Sequence, residues 1–221
     1  MRKLLTRIKP NKFADIAATT ALYRPGPLTG GLTEQYIKNK NSDTPEYFLP
    51  EFEELLAETY GVFVYQEQVM LVAQKIAGFT LSRADSLRKA IGKKDHNLMQ
   101  VLSEEFVDGS VKNGYEKEKA ESLWKLIQGF ADYCFNKSHS YAYSMLSYWA
   151  MYLKHYHPSA FAIARMTSDI KSSTDLRNDF HAFKDQIEIL DPCVNTSQEN
   201  FSIDKSGAIR IGLGAIHGLG S

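Results

Sequence analysis

The chain has 221 residues, 43% hydrophobic and 24% charged, with 26 basic residues balanced by 26 acidic ones. That is the composition of a soluble globular chain, long enough for one large domain or two small ones. No apolar run approaches the ~18 residues of a membrane span, and Met1-Arg2-Lys3-Leu4-Leu5 has neither the apolar core nor the cleavage site of a signal peptide. Cys134 and Cys193 fit neither a metal-ligand spacing nor a disulfide framework, which points to a reducing cytosol.

In chain order, a basic segment breaks at Pro10-Asn11 and gives way to a predicted helix with Phe13, Ile16, Ala17 and Thr20 on one face. Arg24-Pro25-Gly26-Pro27 ends it and sets Tyr23 and Arg24 at a rigid turn. A short helix follows over 32–40, then a polar loop over 41–45 and an acidic helix over 51–58. Residues 61–65 read as extended, and 66–76 as a helix stopped by Gly78. Ser82 is the expected N-cap of a helix running to Ile91 and ending at Gly92, with Ala84, Leu87 and Ile91 inward. Asp95 caps the next helix, which carries Leu98, Leu102 and Phe106 and stops at Asn113-Gly114. Another, with Ala120, Leu123, Trp124, Ile127 and Phe130, delivers the chain to Tyr133. Asn136, Ser138 and Ser140 all suit the cap of a long helix in which Ala142, Leu146, Trp149 and Leu153 recur at helical spacing. Helices from Pro158 to Met166 and over 174–184 follow, then β-prone runs at 187–190, 200–203 and 209–213, with a turn at 204–207. The fold class is mainly α with a small β-containing C-terminal segment.

Although the chain is neutral, its charges are segregated. Residues 83–94 hold Arg83, Arg88, Lys89, Lys93 and Lys94 against the single acid Asp85, while 51–58 hold four glutamates and no cation. A helix C-terminus favours cations, which explains part of the basic cluster. Four cations from Arg88 to Lys94 exceed what that effect needs. The second concentration of chemistry is Tyr133-Cys134-Phe135-Asn136-Lys137-Ser138-His139-Ser140. A helix N-terminus there offers free N–H groups and partial positive charge to an anion, with Lys137 and His139 as added donors; an ordinary capped helix start has the same residues. Ile91-Gly92-Lys93-Lys94 fails as a phosphate loop, because the first glycine of that motif would fall on Leu87 and its hydroxyl residue on Lys94. His155 and His157 sit two residues apart on a helix, point in different directions and read as surface residues.

Four blocks carry a family resemblance: Ala21-Leu22-Tyr23-Arg24-Pro25-Gly26-Pro27-Leu28, Tyr65-Gln66-Glu67-Gln68-Val69-Met70, 84–94, and Phe135-Asn136-Lys137-Ser138-His139-Ser140. In this order and spacing the chain closely resembles the fingers region of the α (catalytic) subunit of bacterial DNA polymerase III, a C-family replicative polymerase. The resemblance covers essentially the whole chain. It implies a connecting segment from the palm over 1–22, a helical fingers domain over 23–186, and a β-containing tail over 187–221. In that tail Gly218-Leu219-Gly220 resembles the hairpin of a truncated helix-hairpin-helix.

The resemblance also implies a function. The fingers close over the incoming deoxynucleoside triphosphate and meet the primer–template, while a preceding palm domain, unmatched here, holds the catalytic aspartates and their Mg2+. The fragment is thus expected to hold no catalytic residue, bind no cofactor itself and be inactive alone, its parent being a cytoplasmic DNA-directed DNA polymerase. The nucleotide-binding set carried over is Arg88, Lys89, Tyr133, Asn136, Lys137, Ser138 and His139; the DNA-binding set is Arg24, Lys93 and Lys94. Relatives often carry two arginines where Arg88 and Lys89 stand, so Lys89 replaces a bidentate donor with a point charge. Further expected partners, through the full-length chain, are the sliding clamp and other replisome subunits, with no membrane. Some relatives carry a split intein joined before a Cys-Phe-Asn, which Cys134-Phe135-Asn136 fits; the residues alone read Cys134 as a small buried side chain. The alternative reading is a non-catalytic DNA- or replisome-binding module.

Overall fold

The computed structural model describes every residue except Asp43, Asp132, His217, Gly220 and Ser221; Gly220 of the expected hairpin therefore lies outside the described residues. The described residues are mainly helical with a small C-terminal sheet, and they form two compact units, Met1–Ser144 and Met145–Ser221.

The first unit opens with α1 (Arg2–Ile8) and α2 (Phe13–Leu22). Pro25 does more than end α2. At a first helical position its missing N–H is no loss, and it starts the short α3 (Pro25–Thr29). After α4 (Leu32–Lys40), the acidic helix expected over 51–58 is divided. Leu56 leaves helical geometry at φ −117 and ψ 19, which separates α5 (Phe52–Leu55) from a 3-10 turn at Ala57–Thr59. Residues 61–65 form no strand of their own; Tyr65 makes an isolated parallel bridge to Phe135. Phe135 N–H donates to the Val64 carbonyl at 3.1 Å, and Gln66 N–H donates to the Phe135 carbonyl at 2.9 Å.

Four helices build the larger core: α6 (Gln66–Ala77), α7 (Leu81–Lys93), α8 (His96–Lys112) and α9 (Lys117–Ala131). Gly78 closes α6 in the left-handed region at φ 69, as its position suggested. Two boundaries of α7 differ from expectation. Its N-cap is Thr80, whose hydroxyl accepts the Arg83 N–H at 3.2 Å, so Ser82 lies inside the helix. At the other end the helix continues through Gly92 and stops at Lys94, a non-glycine residue at φ 55. Asp95 already caps α8, accepting the Leu98 N–H at 3.0 Å, so Lys94 alone remains to turn the chain. Leu87, Leu102, Phe106, Leu123 and Ile127 are buried together as their periodicity requires, each stabilising the unit by about 1.5–3 kcal/mol.

A second cluster joins Leu4, Ile8, Ala18, Leu22, Tyr36 and Tyr65. Asp15 sits beside it, fully buried. Its carboxylate accepts from the Asn11 N–H at 3.0 Å, Tyr36 Oη at 3.0 Å and Tyr60 Oη at 2.9 Å, and pairs with Lys40 Nζ at 3.0 Å. Burial alone would raise its pKa, but these donors outweigh it and hold the carboxyl below the usual range. Tyr60, at φ 55, is held in its left-handed backbone conformation while Lys12 and Lys40 lie against its ring.

The helix α10 (Lys137–Tyr156) begins in this unit with Asn136 as its cap, Asn136 Oδ1 accepting the His139 N–H at 2.8 Å. The fully buried residues of α10 are serines, beside a partly buried Tyr141: Ser140 Oγ donates to the Ala17 carbonyl at 2.5 Å, and Ser144 Oγ lies 3.0 Å from Thr20 Oγ1. The repeat Ala142, Leu146, Trp149, Leu153 forms the expected helix yet stays exposed, Leu146 and Trp149 at 56% each.

In the second unit α11 (Pro158–Ser168) and α12 (Ser173–Phe183) share a small core of Ala162, Met166, Leu176, Phe183, Ile187, Phe201 and Ile209. The strands are two residues each: β1 (Ile189–Leu190), β2 (Ser202–Ile203) and β3 (Ile209–Arg210), ordered β1-β3-β2. Strand β1 runs parallel to β3 with Ile189 opposite Ile209, and β2 runs antiparallel with Ile203 opposite Ile209. The predicted turn is present. Asp204 Oδ1 accepts the Ser206 N–H at 2.7 Å, and Gly207 takes φ 90. Hydrogen bonds from Ser206, then Arg210, pull the Asp204 pKa down to about 2. Among the described residues, no helix is long and apolar enough to cross a membrane.

Candidate functional site

The residues singled out by the sequence fall into two groups within the first unit. On α7, Asp85, Arg88 and Lys89 share one face, because positions three and four apart on a helix are neighbours. Arg88 Nε donates to Asp85 Oδ1 at 2.9 Å and Arg88 Nη2 lies 2.8 Å from the same oxygen, while Lys89 Nζ is 2.8 Å from Asp85 Oδ2. Hydrogen bonds from Lys89 and then Arg88 hold the Asp85 carboxyl below its ordinary range. Lys93 and Lys94 lie exposed at the same helix end.

The second group is the 133–140 segment. Its strut is Arg24, whose Nε donates to the Ala21 carbonyl at 2.9 Å and whose Nη2 donates to the Tyr133 carbonyl at 2.6 Å. The guanidinium also lies 4.6 Å from the centre of the Phe135 ring. The Tyr133 ring packs over Gly26 and Gly30, close enough to Gly26 that a Cβ there would collide with it. Burial pushes the Cys134 thiol pKa up, despite the nearby Arg24, so it behaves as a packed thiol.

At the start of α10 the chain supplies its own anions. Both oxygens of Glu67 accept the Lys137 N–H, at 3.2 and 3.0 Å, and Asn136 Nδ2 donates to Glu67 Oε1 at 3.1 Å. Lys137 Nζ is 2.5 Å from Glu58 Oε2, and Tyr141 Oη donates to the other Glu58 oxygen. The helix end that suits an anion is therefore occupied by a carboxylate, the arrangement the macrodipole favours. Ser138 and His139 stay exposed, the imidazole lying 4.5 Å from the Tyr143 ring and 5.5 Å from the Phe135 ring.

Arg24, Tyr133 and the α10 start are thus brought together, and so are Arg88 and Lys89. Among the described residues, no hydrogen bond or ion pair joins the two groups. Asp85, Glu58 and Glu67 were not anticipated as partners. The spacing of Asp85 to Arg88 and Lys89 was a legible signal; the other two acids act across roughly seventy to eighty positions, where local pattern is silent. Among the described residues, no group of three His, Cys, Asp or Glu side chains could hold a metal ion.

Comparison with known proteins gives these features a family. The bacterial DNA polymerase III alpha subunit finger domain matches residues 1–114, and a helix-hairpin-helix motif matches 186–221. The chain belongs to the bacterial DNA polymerase III alpha subunit finger-domain family. It is 47% identical over 221 residues to the DNA polymerase III subunit alpha of Aquifex aeolicus (strain VF5), covering 100% of this chain and 19% of that protein. It is similarly 44% identical over 225 residues to that of Campylobacter jejuni subsp. jejuni, again covering 100% and 19%. The Treponema pallidum (strain Nichols) subunit is 44% identical over 222 residues, with 100% and 19% covered. The chain spans about a fifth of the length of these relatives.

Proposed function

We propose that this chain is the part of a replicative DNA polymerase that binds the incoming deoxynucleoside triphosphate and the primer–template. The observation that carries the reading is the end of α7, where Arg88, Lys89, Lys93 and Lys94 gather, with one paired acid, on a chain whose net charge is zero. A triphosphate needs such cations, because the leaving pyrophosphate gathers charge in the transition state. In this reading Arg88 and Lys89 meet the triphosphate. Tyr133, Asn136, Lys137, Ser138 and His139 form the second wall, where Glu67 fixes the backbone, Glu58 holds the Lys137 and Tyr141 side chains, and His139 and Ser138 are left to face the nucleotide. Lys93 and Lys94 meet template phosphates, and Arg24 acts both as strut and as a DNA contact.

Phosphoryl transfer then belongs to a palm domain outside this chain, where the resemblance puts the aspartates for Mg2+, and the isolated chain turns nothing over. The clamp and other replisome subunits are met by the full-length cytoplasmic polymerase. The test is Arg88→Ala and His139→Ala in that polymerase, reading nucleotide affinity and turnover. Loss of a charge-assisted hydrogen bond worth roughly 1.5–3 kcal/mol predicts a drop of about one to two orders of magnitude for Arg88→Ala. Unchanged affinity and turnover in both variants would refute the assignment.

A further inference from the structure

We infer that Asp85 is a positioning residue for the triphosphate, acting through Arg88. The inference rests on the proposed nucleotide-binding role of Arg88. Asp85 takes the guanidinium by one side only: Nε and Nη2 both reach Oδ1, at 2.9 and 2.8 Å. A guanidinium has five N–H donors in a fixed fork. Gripped along its Nε–Nη2 edge, Arg88 keeps both Nη1 hydrogens and the second Nη2 hydrogen, the tip that takes a phosphate in bidentate fashion. The second carboxylate oxygen holds Lys89 Nζ at 2.8 Å, which leaves two of the three ammonium hydrogens uncommitted by that contact. One carboxylate thus fixes the direction of two cations without using the donors a phosphate needs.

The surroundings agree with a landing zone. Gly92 lies seven residues beyond Asp85 on the same helix face, and a Cβ built there would meet nothing within 4 Å. The helix surface at Gly92 is therefore open. A competing role, in which Asp85 screens the cations and must be displaced, predicts the opposite sign for its removal.

The experiment uses the full-length polymerase containing this segment, with single-nucleotide incorporation on a primer–template read over a range of deoxynucleoside triphosphate concentrations. Asp85→Ala is expected to raise the nucleotide Kd by about fivefold to tenfold while leaving the saturated rate within about twofold. Asp85→Asn, which still accepts a hydrogen bond from Arg88, falls between Asp85→Ala and the parent. In the Arg88→Ala background, Asp85→Ala adds less than about twofold, because the residue through which it acts is gone. Losses that multiply in the double variant, tighter nucleotide binding in Asp85→Ala, or an unchanged Kd in both Asp85 variants would each overturn the inference. If Arg88→Ala itself leaves Kd unchanged, the nucleotide-site reading beneath it fails instead.

Discussion

Replacing Asp15 by alanine removes the acceptor at the centre of the first unit's buried polar network. The side chain of Asp15 is fully buried and that of Lys40 is 4% exposed, so the lysine loses its carboxylate where water does not replace it. Breaking a buried ion pair in this way costs about 3–5 kcal/mol. The hydroxyl of Tyr36, on a fully buried residue, loses the 3.0 Å partner recorded for it, and Tyr60 Oη loses one at 2.9 Å. An unsatisfied buried group costs about 1–3 kcal/mol. These terms overlap, and roughly 4–6 kcal/mol is expected, a large share of the about 5–15 kcal/mol of an ordinary domain. Lys40→Met is the informative contrast. It leaves the carboxylate with Asn11 N–H, Lys12 N–H and both tyrosine hydroxyls, so about 1.5–3 kcal/mol is expected. Urea unfolding followed by tryptophan fluorescence reports this, because Trp124 is 3% exposed in the first unit while Trp149 is already open to solvent. A Lys40→Met loss equal to or larger than that of Asp15→Ala would refute the ranking of donors, and a loss below about 1 kcal/mol for Asp15→Ala would refute the network itself.

The same carboxylate sets an acid limit. Its folded pKa is depressed, so its contribution is fully present above the unfolded value of about 3.9 and disappears as pH falls through the folded value. The urea midpoint of the first unit should therefore drop below about pH 4 more steeply in the parent chain than in a folded Asp15→Asn variant. Gly109→Ala is expected to destabilise by several kcal/mol despite alanine's better helix propensity, about 2–4 kcal/mol in a thermal scan. A Cβ at Gly109 would collide with the backbone carbonyl of Ala77, and backbone cannot swing aside as a side chain does. A neutral or stabilising Gly109→Ala would show that α6 and α8 are not in the close contact described.

Most of the helical scaffold was legible because its apolar residues keep a 3.6-residue period and its ends carry punctuation. Leu87, Leu102, Leu123 and Ile127 are buried where that period put them. Sequence pattern and structure part where two signals compete locally. Thr80 and Ser82 can both cap, and it is the earlier hydroxyl that accepts the Arg83 N–H. Gly92 looked like a stop, but with Asp95 committed to α8 the turn fell to Lys94. In α10 apolar residues recur on every side, so periodicity gave the helix without its buried face; the small hydroxyls of Ser140 and Ser144 face inward instead. Around the candidate site the cations could be found from composition alone. Their acidic partners could not, except Asp85, because Glu58 and Glu67 meet Lys137 only after the chain has folded back.

Hydrogen bonds across such distances also set an order of assembly. The Ala17 carbonyl waits 123 residues for the hydroxyl of Ser140, and the pairing of Tyr65 with Phe135 encloses all of α6 to α9. On a ribosome adding about 5–20 residues per second, that wait is roughly 6–25 s. The four core helices contact their sequence neighbours and have time to pack during synthesis, while α2 stands without its closing partner. The α10 start is therefore the last piece of the first unit that the ribosome delivers. Until the segment carrying Tyr133 and His139 has left the ribosome, that unit remains open along one seam.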